Sequence, residues 1–207
     1  MEDRLNQRPM AVTWRPANTV APRPRRPPNS FDFAGSIDAY DPATNQWTTQ
    51  YPGLPTPRSG LGVGVVNDVL YAVGGSSVNG YESTVEAYDP ASHTWTTKAP
   101  MPTARFALAV GVVNGVLYAV GGVAGDGTYL ASVEAYDPVS DSWTTKAPMP
   151  TARAGLAIAV ANGVLYAVGG ATPTEYVGTV EAYDPATDTW TTKAPMPTGR
   201  SWLVAAS

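Results

Sequence analysis

Apolar and polar positions alternate along this chain in short runs that recur at a fixed spacing. GLGVGVV at 60 to 66, ALAVGVV at 107 to 113 and GLAIAVA at 155 to 161 place small and aliphatic residues in turn, the period-two pattern of a strand. Their small residues let such a strand come close to its equivalents, so these runs are predicted to lie innermost, where repeated units converge. A two-residue step follows each run. Asn114-Gly115 and Asn162-Gly163 are strong signals for a type I′ hairpin, and Asn67-Asp68 stands in the same place with Asp accepting the left-handed conformation less readily.

The next run, VLYAVGG at 69 to 75, 116 to 122 and 164 to 170, is apolar without clean alternation, as expected of a strand covered on both faces. It ends at Gly74-Gly75, Gly121-Gly122 and Gly169-Gly170, where backbone geometry or close contacts would forbid a Cβ. A third run, VEAYD, leads through an Asp-Pro turn into a fourth, TWTTK or SWTTK. Its threonines and terminal lysine suit an exposed sheet edge. Four strands therefore fill one period.

The period itself is marked by Tyr40/Trp47, Tyr88/Trp95, Tyr136/Trp143 and Tyr183/Trp190, each pair seven residues apart. Self-similarity at about 40 to 50 residues indicates stacked supersecondary units, most often propeller blades. The boundaries predicted are a partial blade at 31 to 54, full blades at 55 to 101, 102 to 149 and 150 to 196, and a last innermost strand at 197 to 207. Residues 1 to 30 stand outside the pattern and read as a disordered Arg/Pro-rich tail. Within it, Pro24-Arg25-Arg26-Pro27 has the spacing of a polyproline ligand, and Met10 to Trp14 is a weak candidate for the strand the partial blade lacks.

These residues resemble the kelch repeat. A double glycine, a Tyr 13 or 14 residues later and a Trp seven further carry the resemblance, with VNGVLYAVGG, SVEAYDP and WTTKAPMP, over residues 36 to 207. The resemblance implies an all-β propeller of four-stranded antiparallel blades, and family members commonly close the ring by sharing a blade between their termini. With three complete blades and a partial or composite fourth, an open arc is expected in preference to a closed four-bladed ring. Such an arc would be a fragment or would self-associate, because an uncapped repeat end exposes apolar surface.

Composition narrows the function classes. Gly and Pro number 20 each in 207 residues, which fits a chain that turns often and disfavours helix. The net charge of −4 divides into +4 over residues 1 to 30 and −8 over residues 31 to 207. An acidic body argues against nucleic acid as partner, since phosphate binding needs a basic face. No apolar run reaches the length of a membrane span, and the first fifteen residues show no signal-peptide core. The compartment is left open.

With no cysteine and His93 as the single histidine, thiol chemistry, a two-histidine metal site and a Ser-His-Asp triad are unavailable. His93 itself reads as a solvated turn residue. Copper oxidases of the kelch type need a Cys-linked Tyr and His ligands, which are absent here. Asp126 in its GDG context offers one carboxylate, short of a calcium site. No catalytic residue, metal or cofactor is therefore expected. A sugar-acting enzyme like the kelch-type sialic acid mutarotases stays open as an alternative, as does a structural or adhesive repeat segment of a larger protein.

A repeat supplies its own test: residues present in every copy serve packing, and residues that break the pattern are freer to meet a ligand. The first class comprises the glycine pairs and Tyr88, Trp95, Tyr136, Trp143, Tyr183 and Trp190. The second lies in 76 to 84, 123 to 131 and 171 to 178, each with a tyrosine near an acid: Tyr81 with Glu82, Tyr129 with Asp126, Tyr176 with Glu175. These loops are the expected site for a protein or peptide ligand. Arg58, Arg105, Arg153 and Arg200 precede the innermost strands. They would gather at a channel mouth to bind a carboxylate, or else bond to loop carbonyls and pair with Glu86, Glu134 and Glu181.

Overall fold

The computed structural model describes residues 11–13, 38–48 and 52–205. They divide into two units, one up to Pro57 and one from Arg58 onward. The second unit holds three four-stranded antiparallel sheets and no helix. The first blade runs Gly62–Val66, Val69–Val73, Val85–Asp89, Thr94–Lys98. The second runs Ala109–Val113, Val116–Val120, Val133–Asp137, Ser142–Lys146. The third runs Ala157–Ala161, Val164–Val168, Val180–Asp184, Thr189–Lys193. Strand order equals chain order in each blade.

The hairpin between first and second strands is the one the dipeptides specify. Asn114 and Gly115 have φ of 51° and 77°, Asn162 and Gly163 of 52° and 76°. Asn67 and Asp68, at 49° and 64°, adopt the same turn without glycine.

The innermost strands of neighbouring blades lie against one another, and their small residues make room. A Cβ on Gly62 would sit 2.3 Å from Val110 Cγ2, and one on Gly111 2.3 Å from Leu165 Cδ2. Any larger side chain would have to push the next blade away.

Adjacent blades share a repeated seam. Tyr71 meets Tyr136, and Tyr118 meets Tyr183, both with ring centroids 5.8 Å apart. The Trp143 indole donates to the Ala99 carbonyl, and Trp190 to that of Ala147, both at 2.9 Å. In return the amides of Ala99 and Ala147 donate to Asp141 and Asp188, again at 2.9 Å. Each of these aspartates also accepts the hydroxyl of its own blade's tyrosine, Tyr136 or Tyr183, at 2.6 Å. His93 holds the same turn position in the first blade, where its Nδ1 lies 3.0 Å from the Tyr88 hydroxyl. The expected solvated turn residue is thus exposed yet also ties down a ring. Tyr136 and Tyr183 are fully buried, and each leans on its own blade's tryptophan at 5.1 Å. Burial of each such ring contributes about 2 to 3 kcal/mol.

In the first unit, Asp38–Asp41 and Gln46–Thr48 form the third- and fourth-strand pair, with Tyr40 opposite Trp47 as in every blade. Ala11–Thr13 pairs with Asp38–Asp41 and takes the second-strand position. This corrects the expectation of a disordered tail for those three residues, whose β-prone Val and Thr find a strand to pair with. The rest of the tail, including Pro24 to Pro27, and residues 31 to 37 of the expected partial blade lie outside the described residues. Among the described residues each blade is a separate sheet and no sheet closes on itself. Of the innermost strand expected at 197 to 207, residues 197 to 205 carry no strand, and residues 206 and 207 lie outside the described residues.

Candidate functional site

Each blade in the second unit carries a buried arginine that organises the chain above it. Arg58 donates through Nε to the Gly74 carbonyl at 2.7 Å and through Nη2 to that of Ala72 at 2.9 Å. Its Nη1 pairs with Glu86 at 2.5 Å. Arg105 donates to the Gly121 and Ser132 carbonyls and lies 2.7 Å from Glu134. Arg153 pairs with Glu181 and donates to Ala167 at 3.0 Å. Thr103 and Thr151 donate to the same glutamates at 2.6 and 2.8 Å. All three arginines are 0% exposed. Burial pulls the Arg105 pKa down, and the Glu134 carboxylate opposes that pull.

A ligand-binding role for Arg58, Arg105 and Arg153 at a channel mouth is therefore corrected. Their side chains turn into the blade, toward backbone carbonyls near the glycine end of the second strand and a glutamate of the third, and are sealed there. Arg200 stands apart from the series, exposed to solvent.

The three loop tyrosines fall into one register. Tyr81 pairs with Ser76, Tyr129 with Val123 and Tyr176 with Ala171, each opposite the residue after a glycine pair. The following residue closes the loop on both sides. The amides of Glu82, Leu130 and Val177 donate to the carbonyls of Gly75, Gly122 and Gly170, all at 2.9 Å. Their own carbonyls accept from the amides of Arg105, Arg153 and Arg200 at 3.1, 3.2 and 3.3 Å. The glycine pairs are needed here. Gly75, Gly122 and Gly170 have φ of 105°, 103° and 107°, and a Cβ would meet a backbone oxygen within 2.9 Å.

The acids expected beside these tyrosines are mostly occupied locally. Glu82 accepts from Ser77 and, at 3.0 Å, from Thr84. Asp126 accepts the Thr128 amide at 2.9 Å, a hydrogen bond that lowers its pKa. Glu175 is exposed. No group of three or more potential metal ligands occurs among the described residues.

Two residues beyond each series arginine, the chain links one blade to the next. The Ala107 amide donates to Gly60 at 2.9 Å, Gly155 to Ala107 at 2.8 Å and Trp202 to Gly155 at 2.7 Å. All four positions are left-handed, with φ of 58°, 56°, 59° and 55° for Gly60, Ala107, Gly155 and Trp202. Ala107 and Trp202 hold this conformation despite their Cβ, at a cost of about 1 to 2 kcal/mol each. Side chains on this rim are displayed by a backbone that the ladder fixes.

On it lies a row of three rings that sequence reasoning did not single out as a set. Phe106 stacks on Tyr81 with centroids 5.5 Å apart and planes 23° from parallel, and meets Trp202 at 5.8 Å and 58°. Gly60 lies beneath Phe106, since a Cβ there would come 2.1 Å from the ring. Tyr81 is 38% and Trp202 66% exposed. Phe106 and Trp202 break the repeat, which elsewhere has Ser59, Ala154 and Ser201 after the arginine and Gly60, Ala107 and Gly155 one further on. The same test that selected the loops would have found them. Tyr176 is 67% exposed and Tyr129 half-buried, and neither joins the row.

Comparison with known proteins matches this architecture. A family model described as the KLHDC2/KLHL20/DRC7 Kelch-repeats domain covers residues 37–207. Kelch-like ECH-associated protein 1A of Danio rerio is 56% identical over 43 residues, 21% of this chain and 7% of that protein. Among solved structures, one titled Structure of YjhT superposes with a TM-score of 0.73 at 19% identity, covering 81% of this chain and 61% of the other. The chain thus spans only part of each, and at that identity the structural likeness shows the fold alone. The matched family model, the blades and the recurring Gly-Gly, Tyr and Trp positions agree: the chain belongs to the kelch-repeat propellers.

Proposed function

We propose that this chain is a non-enzymatic binding module that holds a protein or peptide against its loop face. The observation that carries the reading is the row Tyr81, Phe106, Trp202, with Tyr81 and Trp202 exposed about a half-buried Phe106, on a rim whose backbone is fixed by hydrogen bonds between blades. Rigid aromatic side chains are effective anchors at interfaces because they bury large area with little loss of freedom. The polar loops bearing Tyr129 and Tyr176 flank the same face and would form its rim. The kelch-like relative, by its printed name associated with another protein, supports the reading in outline.

The −8 charge of residues 31 to 207 favours a ligand with basic groups beside its apolar anchor. A random peptide library displayed on phage and panned on the full chain tests this. Basic, apolar-containing peptides should be enriched on the wild type and lost on the Tyr81→Ala, Trp202→Gly double variant. Equal enrichment on both would refute the proposed site. Binding of free sugars in place of peptides, on a glycan array, would favour the carbohydrate-acting alternative.

A further inference from the structure

The third blade presents a face prepared for a partner it does not receive from a following blade in its own unit. At the two seams inside the second unit, each blade offers the next one the same set. The first offers Tyr71 and the amide and carbonyl of Ala99; the second offers Tyr118 and the amide and carbonyl of Ala147. By register the third blade offers Tyr166 and Ala194. Tyr71 and Tyr118 are buried at 5% and 6% exposure, and Met101 and Met149 at 2% each. Their counterparts Tyr166 and Met196 are only half-buried. An open cavity of about 240 Å³ lies on this face between Tyr166, Asp184 and Lys193. Arg200 is exposed where Arg58, Arg105 and Arg153 each hold a glutamate of their own blade.

The first unit carries the complementary set. Tyr40 stands where Tyr136 and Tyr183 stand, Trp47 where Trp143 and Trp190 stand, and Asn45 where Asp141 and Asp188 stand. Asn45 has φ of 55° and accepts the Tyr40 hydroxyl at 2.8 Å, so its Oδ1 is held as the aspartate oxygens are. Asp38 takes the position of the buried glutamates. Trp47 is 52% exposed, while the other blade tryptophans are half-buried. In the sheet order, Ala11–Thr13 is an edge strand in second-strand position, lacking the innermost strand beside it.

We infer that the Tyr166 face of one molecule docks residues 38–48 of a second copy, completing a composite blade across the junction. Arg200 would pair with Asp38, Trp47 would donate to the Ala194 carbonyl, and Tyr40 would cover Tyr166. The occupant is argued from continuity: the same contacts are made twice within the second unit, and residues 38–48 carry each group they require. Such a contact is heterologous, using different surfaces on the two copies, so it builds closed rings or longer arrays.

Size-exclusion chromatography with light scattering on the full chain tests this. The wild type should show a mass of at least two chains. Trp47→Arg and Tyr166→Arg should each abolish assembly while far-ultraviolet circular dichroism and cooperative thermal unfolding are kept. Mixed in equal amounts, the two variants should recover a dimer, because one retains an intact docking face and the other an intact 38–48 segment. As a second check, Arg200→Asp and Asp38→Arg should each weaken assembly at least tenfold, and the double variant should restore it. A monomeric wild type would overturn the inference and leave the face to a blade of another chain. Folded variants that assemble like the wild type, or a mixture that stays monomeric, would overturn it equally.

Discussion

At the seam between second and third blades, Trp190 makes to Ala147 the 2.9 Å bond that Trp143 makes to Ala99 one blade earlier. On the rim above, the residues following the series arginines are Ser59, Phe106, Ala154 and Ser201. The two regions are a few residues apart in the chain, yet one is copied from blade to blade while the other varies. The difference follows from what each must satisfy. A seam residue has donors, acceptors and volume fixed by the next blade, so the same solution recurs. The rim satisfies its backbone through the Gly60–Ala107–Gly155–Trp202 ladder, which requires no particular donor or acceptor from the side chain after each arginine.

The contrast is tested most severely by the buried ion pairs. Glu181→Ala should cost about 3 to 5 kcal/mol in chemical denaturation, since it leaves Arg153 charged and unpaired. A loss under about 1 kcal/mol, the range of exposed pairs, would place this pair outside the packed framework. Next comes the contact between innermost strands. Gly111→Val should cost about 1 to 3 kcal/mol, because Leu165 and Ile158 occupy the space. Gly125→Val, with nothing within 4 Å of the added carbon, should change stability by about 0.5 kcal/mol or less.

Removing a single seam bond is milder. Trp143→Phe keeps most of the ring and loses the indole donor to Ala99, for about 1 kcal/mol. On the rim, Tyr81→Ala should leave the denaturation midpoint nearly unchanged while removing peptide binding. A large loss of stability there would assign the row to the scaffold and erase the distinction between the two regions.

The smallest effect is the seam's contribution to the dependence of stability on pH. Hydrogen bonds from the Tyr136 hydroxyl and the Ala99 amide hold Asp141 below its ordinary value of 3.8, and Tyr183 with Ala147 does the same for Asp188. Their contribution to stability is full above that value and is lost as pH falls through the lower folded pKa. Burial, followed by the same hydroxyl bonds, pushes Tyr136 and Tyr183 above 10.0, so stability is full below that value and declines as pH rises past it. The Tyr136→Phe, Tyr183→Phe double variant should flatten the stability profile at both ends.

Strands and turns were legible because their signals are local and repeated: Asn-Gly for the hairpin, alternating glycine for the close approach of Gly62 and Gly111. The arginines were half legible. Spacing placed their backbones at the entrance to each innermost strand. Pairing with Glu86, Glu134 and Glu181 was one of the two readings open from the sequence, and the fold decides for it by turning the Arg58 guanidinium inward to Gly74, Ala72 and Glu86. Ala11–Thr13 gave a faint signal because three residues carry almost no pattern. Phe106 and Trp202 were passed over since each occurs once, and their partnership exists only when neighbouring blades bring the rings together.

The left-handed rim position illustrates how such a scaffold can acquire new specificity. Glycine, alanine and tryptophan all occupy it with φ between 55° and 59°, and the hydrogen-bonded ladder continues through each. A Cβ on Gly60 would meet Phe106 at 2.1 Å and one on Gly155 would meet Ser201 at 2.4 Å, so a change of side chain there asks the next repeat's side chain to move, whereas Trp202 already displays its ring to solvent. Selection on binding at this position therefore acts on pairs of residues, one from each of two successive repeats, and Gly60 beneath Phe106 is such a pair.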